Sequence, residues 1–89
     1  MSVEVLKFEA EWCAPCRQQS KIMDEVKETF EGEDVTFESV DVDDEPDEAT
    51  SYGVKSLPTI VISSENSQER FIGLTNQETL EGKIREFLK

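Results

Sequence analysis

Short apolar runs along this chain of 89 residues predict four β-strands. The runs cover residues 3–8, 35–42, 57–62 and 69–72, and each is rich in β-branched or aromatic side chains. Polar residues over 63–67 separate the last two runs, which is typical of a β-hairpin. Proline at position 58 indicates that the third run is either an edge strand or a strand that has this proline as its first residue.

Apolar side chains at helical spacing predict a helix over residues 14–30 and another near the carboxyl end. Thr75 or Asn76 would cap the last helix, and Thr75 with Glu78 has the spacing of a capping box. A short helix between the two should begin at Pro46, run through 52 and stop at a glycine. The element order β-α-β-α-β-β-α indicates an α/β fold, and the length indicates a single domain over residues 1–89.

The chain is strongly acidic: 21 acidic and nine basic side chains give a net charge of −12 at pH 7. Direct nucleic-acid binding needs a basic surface and is therefore not expected. The acidic surface is either an ordinary solvated one or an adaptation to a salt-rich cytosol. The small number of lysines favours the second interpretation. No segment reads as a signal peptide or membrane span, so we expect a cytoplasmic protein without membrane contact.

The two cysteines, Cys13 and Cys16, stand three positions apart between the first strand and the first helix. At the start of a helix, free backbone N–H groups and the helix dipole stabilise an anion. Cys13 should therefore lose its proton more easily than a free thiol, and Cys16 is close enough to close a disulfide. Pro15 suits the first helical turn, where its missing N–H costs little. The pattern predicts a redox-active pair.

Two other interpretations of the cysteine pair remain open. A metal site wants four ligands, and the chain has two cysteines and no histidine. A structural disulfide usually closes a longer loop, where the entropic gain is larger. Neither interpretation fits the residues as well as the redox pair, and no metal site is expected.

Residues 10–16, Ala-Glu-Trp-Cys-Ala-Pro-Cys, resemble the active site of thioredoxins, which usually reads Trp-Cys-Gly-Pro-Cys. The resemblance continues through Asp-Val-Asp at 41–43, Tyr-Gly-Val at 52–54, Leu-Pro-Thr at 57–59 and Phe-Ile-Gly at 71–73. It therefore covers nearly the whole chain. A Trp-Cys-x-Pro-Cys string with a downstream Pro-Thr is far more specific than a bare Cys-x-x-Cys.

The resemblance implies a thioredoxin-like fold with a mixed sheet in the order 2-1-3-4 and three helices. The first and third helices would cover one face and the second helix the other. We expect the short form, without the additional amino-terminal strand and helix of full-length thioredoxins, as in glutaredoxin-like cores and short archaeal-type thioredoxins. A cis peptide bond between Leu57 and Pro58, packed against the cysteines, is also implied.

The implied activity is the reduction of protein disulfides by thiol–disulfide exchange, with Cys13 as nucleophile and Cys16 as resolving cysteine. The substrate-binding surface would consist of six residues: Trp12, Ala14, Pro15, Leu57, Pro58 and Gly73. No cofactor beyond the cysteine pair is expected. The implied partners are a reductase of the thioredoxin reductase type and disulfide-containing target proteins, and we expect a monomer.

The sequence departs from the family pattern at several positions close to the cysteines. Lys7 stands where thioredoxins usually have a buried Asp that helps to move the proton of the second cysteine, and Ser39 stands where its Lys partner would be. Another base or water must then take this proton. Lys7 would favour the thiolate and Glu9 would oppose it, so both are candidate modulators of cysteine ionisation. Alternatively, Lys7 and Glu9 are half-exposed strand residues that pair with each other.

Two alternative functions remain at this point. A glutaredoxin-like enzyme would use glutathione, but glutaredoxins prefer Pro-Tyr inside the motif, and Trp12 and Ala14 argue against this. The fold could also serve as a non-catalytic binding module.

Overall fold

The computed structural model describes residues 2–89 and contains four strands and three helices. The strands are β1 (Val3–Glu9), β2 (Val35–Asp41), β3 (Thr59–Ser63) and β4 (Gln68–Ile72). The helices are α1 (Ala14–Thr29), α2 (Pro46–Ser51) and α3 (Gln77–Leu88). The predicted element order is confirmed. Among the described residues, no helix has both the length and the apolar character that crossing a membrane requires.

The four strands form one mixed sheet in the order β2-β1-β3-β4, as predicted. β1 runs parallel to β2 and antiparallel to β3, and β3 runs antiparallel to β4. Val5 therefore lies opposite Phe37 on one side and Ile62 on the other. Because β1 is central and helices cover both faces of the sheet, its side chains are almost all buried.

Alternating side chains of β1 and β3 supply two separate cores. On one face, apolar residues of the sheet pack against α1 and α3; the buried members are Val3, Val5, Met23, Val26, Phe30, Ile60, Ile62, Leu80 and Ile84. On the other face, the buried members are Leu6, Phe8, Val40 and Val61, against which Ala49 of α2 packs. This confirms that α1 and α3 share one face and that α2 covers the other.

The structure corrects the start of β3 and selects one of the two predicted caps of α3. β3 begins at Thr59, two residues later than predicted, because Pro58 has no N–H to offer a neighbouring strand. The cis Leu57–Pro58 bond was an expectation from the family resemblance and is confirmed. Asn76 caps α3, since its side chain accepts a hydrogen bond from the Thr79 N–H at 2.8 Å. Of the two predicted cap residues, Asn76 is therefore confirmed, and Thr75, with its capping-box spacing to Glu78, is wrong.

Candidate active site

Cys13 and Cys16 form a disulfide at the amino end of α1, with their Cα atoms 5.3 Å apart. After β1 the chain turns, and the Cys13 N–H donates to the carbonyl of Ala10 at 3.1 Å. Cys13 has extended backbone angles and is the N-cap residue of α1, and Pro15 lies in the first helical turn. The sequence therefore places the two cysteines as predicted, because a strand end, a tight turn and a helix start follow one another within a few residues.

The sulfur of Cys13 accepts a hydrogen bond from the backbone N–H of Cys16 at 3.3 Å. A sulfur at the N-cap also faces the positive end of the helix dipole. In the reduced protein the same N–H and dipole would stabilise a thiolate on Cys13. Cys16 is the more deeply covered of the pair, with 2% of its surface exposed against 5% for Cys13.

A groove of about 480 Å³ opens beside Cys13. Its lining is mostly apolar and comes from four parts of the chain: Trp12, Cys13, Ala14, Pro15, Val42, Ala49, Val54, Lys55 and Leu57. Four of the predicted substrate-binding residues are thus brought together here. The wall formed by Val42, Ala49 and Val54 was not predicted, since these residues reach the groove only through the packing of segments that are distant from the cysteines in sequence.

Trp12 forms an exposed edge of this groove, with 69% of its surface open to solvent. Its indole Nε1 donates to Oδ2 of Asp43 at 2.9 Å. The hydrogen bond limits the rotation of the ring, so an apolar surface stays available beside the disulfide.

The other two predicted binding residues, Pro58 and Gly73, lie next to each other beyond Leu57. The Gly73 N–H donates to the carbonyl of Pro58 at 2.8 Å, and Gly73 has a φ of +86°, which other residues rarely adopt. Ile72 and Leu74 on either side of it are 67% and 45% exposed. The structure therefore adds two apolar side chains to the predicted surface.

Lys7 is buried and pairs with Glu9, its Nζ lying 2.7 Å from Oε1 of the carboxylate. Lys7 also donates to the hydroxyl of Ser20, and this hydroxyl donates to the carbonyl of Cys16 at 3.0 Å. The expected pairing is confirmed. The expected half exposure is wrong for Lys7, which has only 5% of its surface exposed because α1 covers this face of β1. Glu9, Ser20 and Cys16 line one cavity of about 300 Å³.

Tyr52 lies behind the groove and packs on Phe8 with ring centroids 5.3 Å apart. Burial raises the pKa of Tyr52 above its ordinary value, and the carboxylates of Glu4, Glu48 and Glu38 raise it further. The phenol is therefore uncharged at neutral pH, and its partly buried ring packs against the core that contains Phe8.

Among residues 2–89, no group of three or more His, Cys, Asp or Glu side chains is arranged to hold a metal ion. The chemistry that this arrangement can perform is exchange at sulfur. It combines a cysteine pair able to close and open a disulfide, backbone stabilisation of one sulfur, and an apolar groove leading to that sulfur.

The chain belongs to the thioredoxin family, whose model matches residues 2–86. Thioredoxin M4, chloroplastic, of Arabidopsis thaliana is 35% identical over 85 residues, which are 94% of this chain and 44% of that protein. A thioredoxin of Porphyra purpurea is 31% identical over 94% of this chain and 78% of its own length. The chain spans about half the length of the chloroplastic relatives from Arabidopsis thaliana (44%) and Zea mays (50%).

Solved structures with the same fold include a malarial protein with a TM-score of 0.90 and 31% identity, each chain covering 100% of the other. A mutant thioredoxin from Halobacterium salinarum has a TM-score of 0.87 and 28% identity over 99% of this chain and 76% of that one. Family membership and the Cys13–Cys16 disulfide together support thiol–disulfide oxidoreductase chemistry at this site.

Proposed function

We propose that this protein reduces disulfide bonds of other proteins through the reversible Cys13–Cys16 pair. The observation that carries the proposal is the position of the Cys13 sulfur. It accepts the Cys16 N–H at the start of α1 and lies beside an apolar groove large enough for a peptide segment. Cys13 is the nucleophile in this scheme and Cys16 is the resolving cysteine.

The reaction proceeds in two exchanges that balance in electrons and protons. The Cys13 thiolate attacks one sulfur of the target disulfide, a Cys13–target bond forms, and the other target sulfur leaves as a thiolate that takes up a proton. Cys16 then loses its proton and attacks the Cys13 sulfur. The second target thiolate leaves, so the target gains two electrons and the protein becomes the Cys13–Cys16 disulfide.

The groove and the adjoining turn hold the target during these steps. Trp12, Ala14 and Leu57 contact apolar side chains next to the target disulfide. These contacts exclude water from the reacting sulfurs. The backbone beside Pro58 offers polar groups to an extended peptide in the manner of an added strand. Gly73 supports this backbone through its hydrogen bond to the Pro58 carbonyl.

A reductase of the thioredoxin reductase type restores the dithiol after each turnover. Membership of the thioredoxin family supports this partner. Each turnover oxidises the cysteine pair to a disulfide, so an electron donor must reduce it again. No further cofactor takes part, because the two sulfurs carry the electron pair. The monomeric state, the single domain over residues 1–89 and the cytoplasmic location remain predictions.

The wild-type protein is expected to accelerate the reduction of insulin disulfides when dithiothreitol regenerates the dithiol. Glutathione as sole reductant should sustain no comparable turnover, because Trp12 and the groove wall leave an apolar surface suited to a peptide rather than to a charged tripeptide. Insulin turbidity followed under the two reductants measures the difference. Equal turnover with glutathione would favour the glutaredoxin-like alternative.

Thermal stability is expected to rise with potassium chloride concentration. With a net charge of −12, the folded chain carries strong self-repulsion, and salt shortens its range. The Debye length falls from ~10 Å at about 0.1 M to ~3 Å at about 1 M salt. Circular-dichroism melts across a KCl series measure the midpoint, with sodium sulfate at matched ionic strength as a control. A midpoint that does not change with KCl would argue for an ordinary acidic surface.

A further inference from the structure

Gln19 is a polar side chain with no exposed surface, and it lies one helical turn beyond Cys16 on α1. Its amide makes two hydrogen bonds to the backbone of one residue, Thr75. Oε1 accepts from the Thr75 N–H at 2.8 Å, and Nε2 donates to the Thr75 carbonyl at 3.0 Å. Burying an amide is costly unless it is paired, so the two bonds hold α1 and residue 75 together in one geometry.

Thr75 ends a turn, residues 73–75, that is itself tied to the proposed target-binding surface. The Thr75 hydroxyl donates to the Gly73 carbonyl at 3.0 Å, and the Gly73 N–H donates to the Pro58 carbonyl at 2.8 Å. A continuous series of hydrogen bonds therefore runs from the helix of Cys16, through Gln19 and the turn 73–75, to Pro58.

The turn presents apolar surface. Trp12, Ile72 and Leu74 are the large hydrophobic side chains exposed among the described residues, and two of them flank Gly73. Trp12 adjoins Cys13 directly, and Ile72 is held at the end of β4 by its pairing with β3, whereas the position of Leu74 depends on the turn. A surface turn could satisfy its backbone groups with water, so pairing with a buried side chain from the disulfide helix fixes its position.

We infer that Gln19 is a positioning residue for target binding: it holds the turn 73–75 at a set distance from α1, so that Leu74 and Cys13 contact one protein target together. The inference rests on the proposed function, because it assigns a part of the same surface. In this scheme Gln19 acts through its two hydrogen bonds to Thr75.

The test compares Gln19→Met, which keeps side-chain length and loses the amide, with Gln18→Met at the neighbouring exposed position. Steady-state kinetics are measured with insulin and with a small aromatic disulfide that is too small to reach the turn. We expect KM for insulin to rise about threefold to tenfold in Gln19→Met, as for the loss of one or two buried hydrogen bonds. kcat, the rate with the small disulfide, and both constants of Gln18→Met should stay within about twofold.

A second variant, Leu74→Ser, separates positioning from a general loss of stability, since its side chain is partly exposed and the change should not impair folding. It should raise KM for insulin on its own and add little in the Gln19→Met background, because both changes remove the same contact. Amide exchange of Thr75, followed by NMR in the oxidised protein, should accelerate in Gln19→Met and not in Gln18→Met.

Fully additive effects of Gln19→Met and Leu74→Ser, or an insulin KM unchanged in Gln19→Met, would overturn the inference alone. A wild-type protein that reduces the small disulfide but not insulin would overturn the proposed function, and the inference with it. The two failures are therefore distinguishable within one set of measurements.

Discussion

Cys13→Ser is expected to abolish reduction of protein disulfides, lowering turnover by more than about a thousandfold. A serine hydroxyl does not ionise at neutral pH, and its oxygen cannot form the mixed disulfide. The N-cap position keeps its hydrogen-bonding role, because serine is itself a favoured N-cap residue, so the fold of α1 should survive. Insulin reduction measures the loss, and far-ultraviolet circular dichroism verifies that the variant is folded.

Cys16→Ser should lose turnover to a similar extent but by another route. Cys13 can still attack a target, yet nothing resolves the bond, so a Cys13–target mixed disulfide accumulates. Mass spectrometry and non-reducing gels detect this adduct, and the double variant should trap nothing. A trapped adduct with Cys13→Ser and none with Cys16→Ser would reverse the two assigned roles.

The cysteine variants also separate the enzyme from a non-catalytic binding module. A module that uses the groove only for docking would retain its partner in Cys13→Ser, because Trp12 and Leu57 are unchanged. The Cys13→Ser variant of a reductase would retain at most the weaker, non-covalent contact with the target that precedes thiol–disulfide exchange. Binding of a disulfide-containing peptide, measured by fluorescence of Trp12, should therefore lose its slow, dithiothreitol-reversible component in the variant.

Most of the fold follows from local pattern. The apolar runs and helical spacing located six of the seven elements, Pro46 and the glycine after residue 52 located α2, and the predicted bounds differ by at most two residues. The largest difference, at the start of β3, has a local cause, since Pro58 cannot donate to a strand. Sheet order could be expected only through the family resemblance, because which strands pair is decided by packing between distant segments.

Some residues of the candidate site could likewise be predicted from local sequence, and others could not. Cys13, Cys16 and Trp12 are neighbours in sequence, so a strand end followed by a helix start was enough to place them. Gln19 could not be recognised, because a polar residue on an apolar helical stripe indicates nothing until its partner, here Thr75, is known. The burial of Lys7 was missed for the same reason: its environment depends on how α1 lies across β1.

Lys7 and Glu9 give the second large expected effect. Glu9→Gln should lower the free energy of unfolding by about 2 kcal/mol, because it leaves the Lys7 ammonium buried without its counter-ion. Full burial of both partners would make the cost larger, but the Glu9 side chain is 28% exposed and Ser20 still accepts a hydrogen bond from Lys7. Urea unfolding of the oxidised protein measures the change, with exposed Glu4→Gln on the same strand as control.

Lys7→Met should change stability by less than about 1 kcal/mol, since it removes the buried charge and Glu9 can turn towards water. The two variants should also shift the reduction potential of the cysteine pair in opposite directions. Glu9→Gln leaves a positive charge near the sulfurs, which favours thiolate and makes the potential less negative. Lys7→Met does the reverse, and ~30 mV corresponds to about a tenfold change in the equilibrium constant.

The sign of these shifts decides whether the pair modulates the cysteines or only supports the strand. Lys7 reaches the helix of Cys16 through Ser20, so the electrostatic route is short and passes through a buried region where charges act strongly. Redox titration against glutathione gives the reduction potential of the wild type and of each variant. Equal potentials in the wild type, Glu9→Gln and Lys7→Met, with the stability difference intact, would reduce Lys7 and Glu9 to a structural ion pair.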